Sequence, residues 1–174
     1  MSGRVSDVEV VLSDRSIIYV GSATGGVFRS SDGGITWDPI FDDQPAIGVG
    51  SVAVFQPNPD IVWVGTGEGN PRNSAGVGRG LFKSSDGGET WQSMGFEASE
   101  GSHRVVTHPT DPDVVYVGVL GPAWSDGDER GVYRTRDGGE SWERVLWQNE
   151  RTGVADMVVD PENPDKLFAA MWEF

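Results

Sequence analysis

An eight-residue pattern that recurs three times constrains the fold of this chain more than any other feature. Each copy contains Asp-Gly-Gly, one variable residue, Thr or Ser, and Trp, and the copies occupy residues 30–37, 84–91 and 135–142. Their aspartates, Asp32, Asp86 and Asp137, lie 54 and 51 residues apart. A period of this length is typical of a four-stranded unit rather than of a hairpin or a helical pair. We therefore predict a repeat protein.

A proline-rich turn supports the same period, because its copies at residues 57–60, 109–113 and 161–165 begin 52 residues apart. Short β-branched and aromatic runs lie between the two markers, and they indicate four strands per repeat. Four antiparallel strands in about 50 residues form the blade of a β-propeller. A β-sandwich of unrelated hairpins is the alternative, but it gives no reason for the same octet to recur in register.

The markers divide the chain into three and a half blades. We predict an all-β, partial β-propeller domain over residues 1–174, with blades at about 4–42, 47–96 and 101–147 and a partial fourth blade at about 152–174. Closed propellers have about four to eight blades. The remaining blades of a longer chain, or a second copy, are therefore expected to cover the open edges.

Composition excludes several classes of function. The chain has 13 Lys and Arg against 27 Asp and Glu, for a net charge of −14, and its cations do not cluster, so we expect no nucleic-acid partner. It has no Cys, which excludes disulfides, thiolate metal sites and cysteine nucleophiles. No targeting segment or apolar span is evident, so membrane insertion is not expected. No cofactor is predicted.

The octet has a structural interpretation. Its Asp carboxylate is placed to accept turn N–H groups, its paired glycines permit positive φ, its Thr or Ser hydroxyl bonds back to the loop, and its Trp inserts between blades. Calcium binding is the alternative, but the alternating oxygen donors and distal Glu of a calcium loop are missing, so no metal site is predicted. The residues assigned to this structural role are Asp32, Gly34, Thr36, Trp37, Asp86, Gly88, Thr90, Trp91, Asp137, Gly139, Ser141 and Trp142.

The octet resembles the Asp-box, or BNR repeat, of sialidases, xyloglucan-cleaving endoglucanases, photosystem II assembly propellers and sortilin-type receptors. Segments 41–45, 64–74 and 169–174 more closely resemble the N-terminal propeller of large bacterial secreted proteins described as sortilin-like or as "glycosyl hydrolase, BNR repeat". The resemblance implies an extracellular or periplasmic parent protein with further blades.

Candidate ligand-binding residues lie in two insertions between the second and third strands of a blade. Relative to the first blade, the second and third blades are longer here by 10 and 8 residues. Because blade strands alternate in direction, both insertions lie on the face opposite the octets, and elaborated loops on a rigid scaffold commonly carry binding function.

The first insertion carries Glu68, Asn70, Arg72 and Asn73, which suit a sugar or peptide. A self-contained loop in which Arg72 pairs with Glu68 is the alternative. The second insertion places Trp124 beside Asp126 and Asp128, which suits a pyranose because a flat ring stacks on its C–H face while carboxylates accept its hydroxyls. Here the alternative is a solvated turn with Trp124 packed on a neighbouring blade.

These features predict a peptide- or glycan-binding module that is sortilin-like. The alternatives are a fragment of a glycoside hydrolase, either xyloglucanase- or sialidase-like, and a structural assembly scaffold. No catalytic residue is assigned, and we expect no glycosidase activity from this chain alone, because such chemistry needs two carboxylates across one bond. By the family resemblance, a sialidase would need an arginine triad and a Tyr nucleophile, whereas Tyr19, Tyr116 and Tyr133 fall inside strand patterns.

Overall fold

The computed structural model describes residues 4–69 and 75–173, which contain strands and no helix. Accordingly, these residues hold no helix of the length and apolarity that a membrane crossing needs. The strands are β1 (Val5–Val10), β2 (Ile18–Ser22), β3 (Gly26–Ser30), β4 (Asp38–Pro39), β5 (Val49–Val54), β6 (Val62–Thr66), β7 (Leu81–Ser84), β8 (Gln92–Ser93), β9 (Arg104–Thr107), β10 (Val115–Val119), β11 (Gly131–Thr135), β12 (Glu143–Leu146), β13 (Thr152–Val159) and β14 (Leu167–Glu173).

The strands form four antiparallel sheets in which neighbours in sequence are neighbours in space. Three sheets have four strands, in the orders β1–β2–β3–β4, β5–β6–β7–β8 and β9–β10–β11–β12, and the last has only β13 and β14. This arrangement is the predicted partial β-propeller, with three complete blades and half of a fourth. The strand patterns in the sequence locate these elements to within a few residues.

The fourth strand of a blade is shorter than its sequence pattern suggests. In the second blade the pattern covers residues 90–94, whereas β8 contains only Gln92 and Ser93. The preceding Thr90 is held in the turn, because its N–H and hydroxyl both donate to Asp86. Side-chain hydrogen bonding within the turn therefore delays the start of the outer strand.

The hydrophobic core lies between sheets rather than at one centre. Tyr19 of the first blade packs with Val52 and Val64 of the second. Trp63 of the second blade packs in the same way with Val105 and Val117 of the third. Each sheet is thus stabilised mainly by the apolar surface that it buries against the next.

Glycines at one repeated position of the second strand allow the sheets to approach closely. They are Gly21, Gly65 and Gly118, which pair with Asp7, Ser51 and Arg104 of the innermost strands. A Cβ built on Gly65 would lie 1.9 Å from the carbonyl oxygen of Ser102 in the connection to the third blade. Only glycine fits this position without moving the adjacent backbone.

The innermost strands β1, β5, β9 and β13 are linked by side chains across their free edges. The Asp7 carboxylate accepts the Val52 N–H at 2.9 Å, and the Ser51 hydroxyl accepts the Val105 N–H at 3.3 Å. Arg104 donates from Nε to the Asp156 carboxylate at 2.8 Å. Polar contacts therefore join successive blades around the propeller axis.

Candidate functional site

The Asp-box turns use their polar groups internally. The Asp86 carboxylate accepts hydrogen bonds from the Ser84 hydroxyl at 2.7 Å, the Thr90 N–H at 2.9 Å and the Thr90 hydroxyl at 2.6 Å. These hydrogen bonds, of which that from the Thr90 hydroxyl has the largest effect, lower the pKa of Asp86 from 3.8 to about 2. Gly87 and Gly88 have positive φ values of 71° and 97°. Side chains disfavour this backbone conformation, which explains why both positions are glycine.

The other two boxes repeat this geometry. The Asp32 carboxylate accepts the Thr36 hydroxyl at 2.6 Å, and its pKa is lowered to about 2. Bonds from the Ser141 and Thr135 hydroxyls lower the pKa of Asp137 as well. All three carboxylates are therefore engaged in closing their own turns.

The box tryptophans join neighbouring blades. Trp91 Nε1 donates to the Ile40 carbonyl of the first blade at 2.7 Å, and Trp142 Nε1 donates to the Met94 carbonyl of the second blade at 3.0 Å. Trp37 lies in the first blade and donates instead to the Gly34 carbonyl of its own box at 3.0 Å. The box Trp is thus an inter-blade anchor wherever a preceding blade is present in the chain.

In the second blade, the loop after β6 holds its carboxylate beneath the surface. The Glu68 side chain is 1% exposed and forms an ion pair with Arg4. The predicted ligand residues Asn70, Arg72 and Asn73 lie outside the described residues, as does the predicted pairing of Arg72 with Glu68. The sequence does not predict the contact with Arg4, because 64 residues separate the two partners.

In the third blade, the loop after β10 presents an aromatic ring to solvent. Trp124 is 77% exposed, so it does not pack on a neighbouring blade. The ring lies at a cleft of about 340 Å³, which is also lined by Ala123, Ser125, Asp126, Arg130 and Arg151. Asp126 and Asp128 are both exposed, but only Asp126 lines this cleft.

A buried arginine holds this loop in shape. Arg130 donates to the carbonyl of Leu120, and its Nη2 donates to the carbonyls of Pro122 at 2.6 Å and Ser125 at 3.0 Å. A single planar guanidinium therefore joins three backbone carbonyls on the two sides of Trp124 and holds the loop closed. No role for Arg130 is predicted from the sequence. Its position as the last residue before β11 was the available signal.

Contacts from outside the loop fix its far side. The Gly127 N–H donates to the Glu150 carbonyl at 2.9 Å, and Arg144 Nη1 donates to the Asp128 carbonyl. The cleft is consequently bounded by the loop after β10 on one side and by the connection from β12 to β13 on the other. Such bracing favours a preformed ligand surface.

A second cavity of about 380 Å³ lies along the innermost strands, and its charged lining residues are Asp7, Glu9 and Arg104. Burial raises the pKa of Glu9. The nearby His103 is buried, with Nε2 at 3.3 Å from the Ala155 carbonyl, and burial lowers its pKa. Within residues 4–69 and 75–173, no group of three or more His, Asp or Glu side chains is placed to hold a metal ion.

Residues 28–39 match the family model described as "BNR/Asp-box repeat". An oligoxyloglucan-reducing end-specific xyloglucanase from Emericella nidulans is 32% identical over 142 residues, which cover 75% of this chain and 15% of the relative. A xyloglucanase from a Paenibacillus species is 27% identical over 159 residues, which cover 83% of this chain and 15% of the relative.

Among solved structures, that of an ancestral GH74 enzyme matches 97% of this chain and 22% of its own length, with a TM-score of 0.77 and 21% identity. This likeness supports the propeller fold. The chain spans about 15% of the length of the two curated xyloglucanases that it matches.

Proposed function

We propose that this chain, a BNR/Asp-box repeat β-propeller, is a carbohydrate-binding part of a glycoside hydrolase. The hydrolase would act on a neutral glycan such as xyloglucan. The observation that carries the proposal is the exposed Trp124 ring at the cleft with Asp126, Arg130 and Arg151. We further propose that the parent protein acts outside the cell, where polymeric glycans of this kind are found.

The chemistry of the cleft suits a sugar. An indole face stacks on the C–H face of a pyranose, and the adjacent Asp126 carboxylate can accept hydrogen bonds from sugar hydroxyls. Carboxylate and guanidinium groups together line the cleft, and the chain carries a net charge of −14. A neutral glycan avoids the repulsion that an acidic one would meet.

The known proteins favour this interpretation over a sortilin-like peptide module. The curated relatives are described as xyloglucanases. The similarity therefore supports the glycoside-hydrolase alternative from the sequence analysis more than the main one, while the sortilin-type detail stays a prediction.

Cleavage itself requires two carboxylates about 5 to 10 Å apart across one glycosidic bond. Asp126 is the one carboxylate among the described residues that line the cleft. Glu68, the carboxylate of the insertion in the neighbouring blade, is buried and paired with Arg4. We therefore propose that this chain binds glycan without hydrolysing it, and that catalysis in the parent protein uses groups beyond these residues.

Isothermal titration calorimetry with xyloglucan oligosaccharides tests the binding. Trp124→Ala should weaken affinity by ~1–3 kcal/mol, the range for loss of an aromatic anchor. Trp37→Ala removes the indole of the first box, which does not line the cleft, and it should leave affinity unchanged. Equal affinities for wild type and Trp124→Ala, or equal losses in both variants, would contradict the assignment.

Hydrolysis is measured separately as release of reducing ends from xyloglucan by the purified chain. We expect none above the background without protein. Turnover that disappears in Glu68→Gln would overturn the proposal that this chain lacks a complete catalytic pair.

A further inference from the structure

A buried histidine lies where three blades of the chain meet. His103 is 6% exposed and ends residues 99–103, here termed the linker, which connects the second blade to β9. Its ring lies against Gly69 of the second blade, where a Cβ would be 2.8 Å from Cγ and 3.0 Å from Nε2. The same Nε2 is 3.3 Å from the carbonyl oxygen of Ala155 in the fourth blade. The imidazole therefore contacts both blades that neighbour its own.

The contact with Ala155 assigns the hydrogen of the neutral ring. A carbonyl oxygen can only accept a hydrogen bond, so Nε2 carries the hydrogen and Nδ1 is the basic nitrogen. Nδ1 is buried and has no hydrogen-bond partner among residues 4–69 and 75–173. A second proton would therefore place a charged N–H where no described group accepts it. In agreement, burial lowers the pKa of His103 from its ordinary 6.5.

The charged groups around the imidazole do not offset the cost of burying a second proton. Arg104 follows the histidine in β9 and disfavours a further positive charge, whereas Asp156 in β13 favours one. These two side chains form an ion pair at 2.8 Å, so their effects on the ring oppose each other. Glu68, in the loop that packs on the ring, is paired with Arg4, and Glu100 of the linker is exposed. The neighbouring carboxylates are thus engaged with arginines or open to solvent.

The linker supports the loops of two blades. Its Ser102 N–H donates to the Thr66 carbonyl at 2.9 Å, at the point where the loop after β6 begins. Its Gly101 carbonyl accepts the Leu120 N–H at 2.9 Å, where the loop after β10 begins. Glu100 has a φ of 58°, a left-handed conformation that is unfavourable for a residue with a side chain. Because the linker contains no strand and carries this strain, it can open at a lower cost than the sheets around it.

We propose that His103 is an acid-sensitive joint: the neutral ring holds the linker between its neighbouring blades, and protonation releases the linker and loosens the loops after β6 and β10. Opening of the linker exposes Nδ1 to water, which solvates the charge that the folded packing cannot. Since folding lowers the pKa of His103, the stability that its neutral ring contributes is present above about pH 6.5 and is lost as the pH falls from there through the lowered pKa. This release does not depend on what the cleft binds.

Amide hydrogen exchange of the purified chain, followed by NMR, tests the release. Between about pH 7.5 and about pH 5, the protection factors of the Ser102 and Leu120 amides, which correct for the intrinsic pH dependence of exchange, should fall by at least about fivefold. The Val117 amide in the middle of β10 should keep its protection, because the sheet stays folded. The midpoint of the fall should coincide with the titration of the His103 imidazole in the same sample, below pH 6.5.

His103→Gln isolates the protonation step, because its amide can still donate to the Ala155 carbonyl but takes up no proton. This variant should lose the acid response of both amides. His108→Gln is the matched control, since it changes the chain's other histidine, at the opposite end of β9, and it should keep the response. Equal protection of the wild type at both pH values, or an acid response that persists in His103→Gln, would overturn the proposal. A wild-type midpoint that differs from the titration of His103 would overturn it as well, and that comparison needs no variant.

Discussion

The close approach of sheets at the second-strand glycines makes a strong prediction for Gly65→Ala. The new Cβ would lie 1.9 Å from the Ser102 carbonyl oxygen and 3.1 Å from its carbonyl carbon. The obstacle is backbone, which cannot rotate away as a side chain can, so we place the cost at or above the upper end of the ~1–3 kcal/mol typical of overpacking. Reduced flexibility of the unfolded chain offsets roughly 0.4–1 kcal/mol of this.

We therefore expect a net loss of about 2–3 kcal/mol for Gly65→Ala. At about 2–4 °C per kcal/mol for a protein of this size, Tm should fall by about 4–12 °C. The measurement is thermal unfolding followed by tryptophan fluorescence, to which the buried Trp63 between the second and third blades contributes. Unfolding followed by circular dichroism should give the same Tm.

Gly21→Ala is the matched control, because it makes the same substitution at the same repeated position. Its Cβ would lie 2.8 Å from a side-chain methyl of Val49, which can shift. Its loss should be smaller, about 1 kcal/mol. If the two variants lower Tm equally, or if Gly65→Ala leaves it unchanged, backbone approach at Gly65 does not set the spacing of these blades.

Three further predictions concern the boxes and the cleft. The folded-state pKa of Asp86 is lowered from 3.8 to about 2, so the stability that its carboxylate contributes is present above about pH 4 and is lost as the pH falls through about 2. Asp86→Asn should therefore flatten the acid side of a plot of Tm against pH. An unchanged slope would contradict this. Trp91→Phe keeps an aromatic ring but leaves the Ile40 carbonyl without the indole donor, and urea titration should show that the free energy of unfolding falls by about 1 kcal/mol. An unchanged free energy of unfolding would show that this hydrogen bond does not stabilise the fold. Arg130→Met should lower the free energy of unfolding by at least about 1–3 kcal/mol, because the Leu120 carbonyl loses its buried donor. The variant should also be cleaved faster by proteases after residue 120. Protection equal to that of the wild type would show that the loop closes without the guanidinium.

The propeller fold could be predicted from the sequence alone, because the information lies in short, repeated segments. Asp86 and Thr90 are close in the chain, and their hydrogen bonds form within one turn, so the octet predicts its own geometry. The period of the octets then fixes the number of sheets. Trp124 in the second insertion was likewise identified as a candidate from its local neighbours.

Contacts between residues of different blades, in contrast, are visible only in the folded structure. Glu68 pairs with Arg4, and Gly65 lies against Ser102, although neither pair is close in sequence. The exposure of Trp124 also depends on how Arg130 folds its loop. Burial and pairing at these positions depend on how closely one sheet stacks on the next, and local sequence patterns do not specify the spacing between sheets.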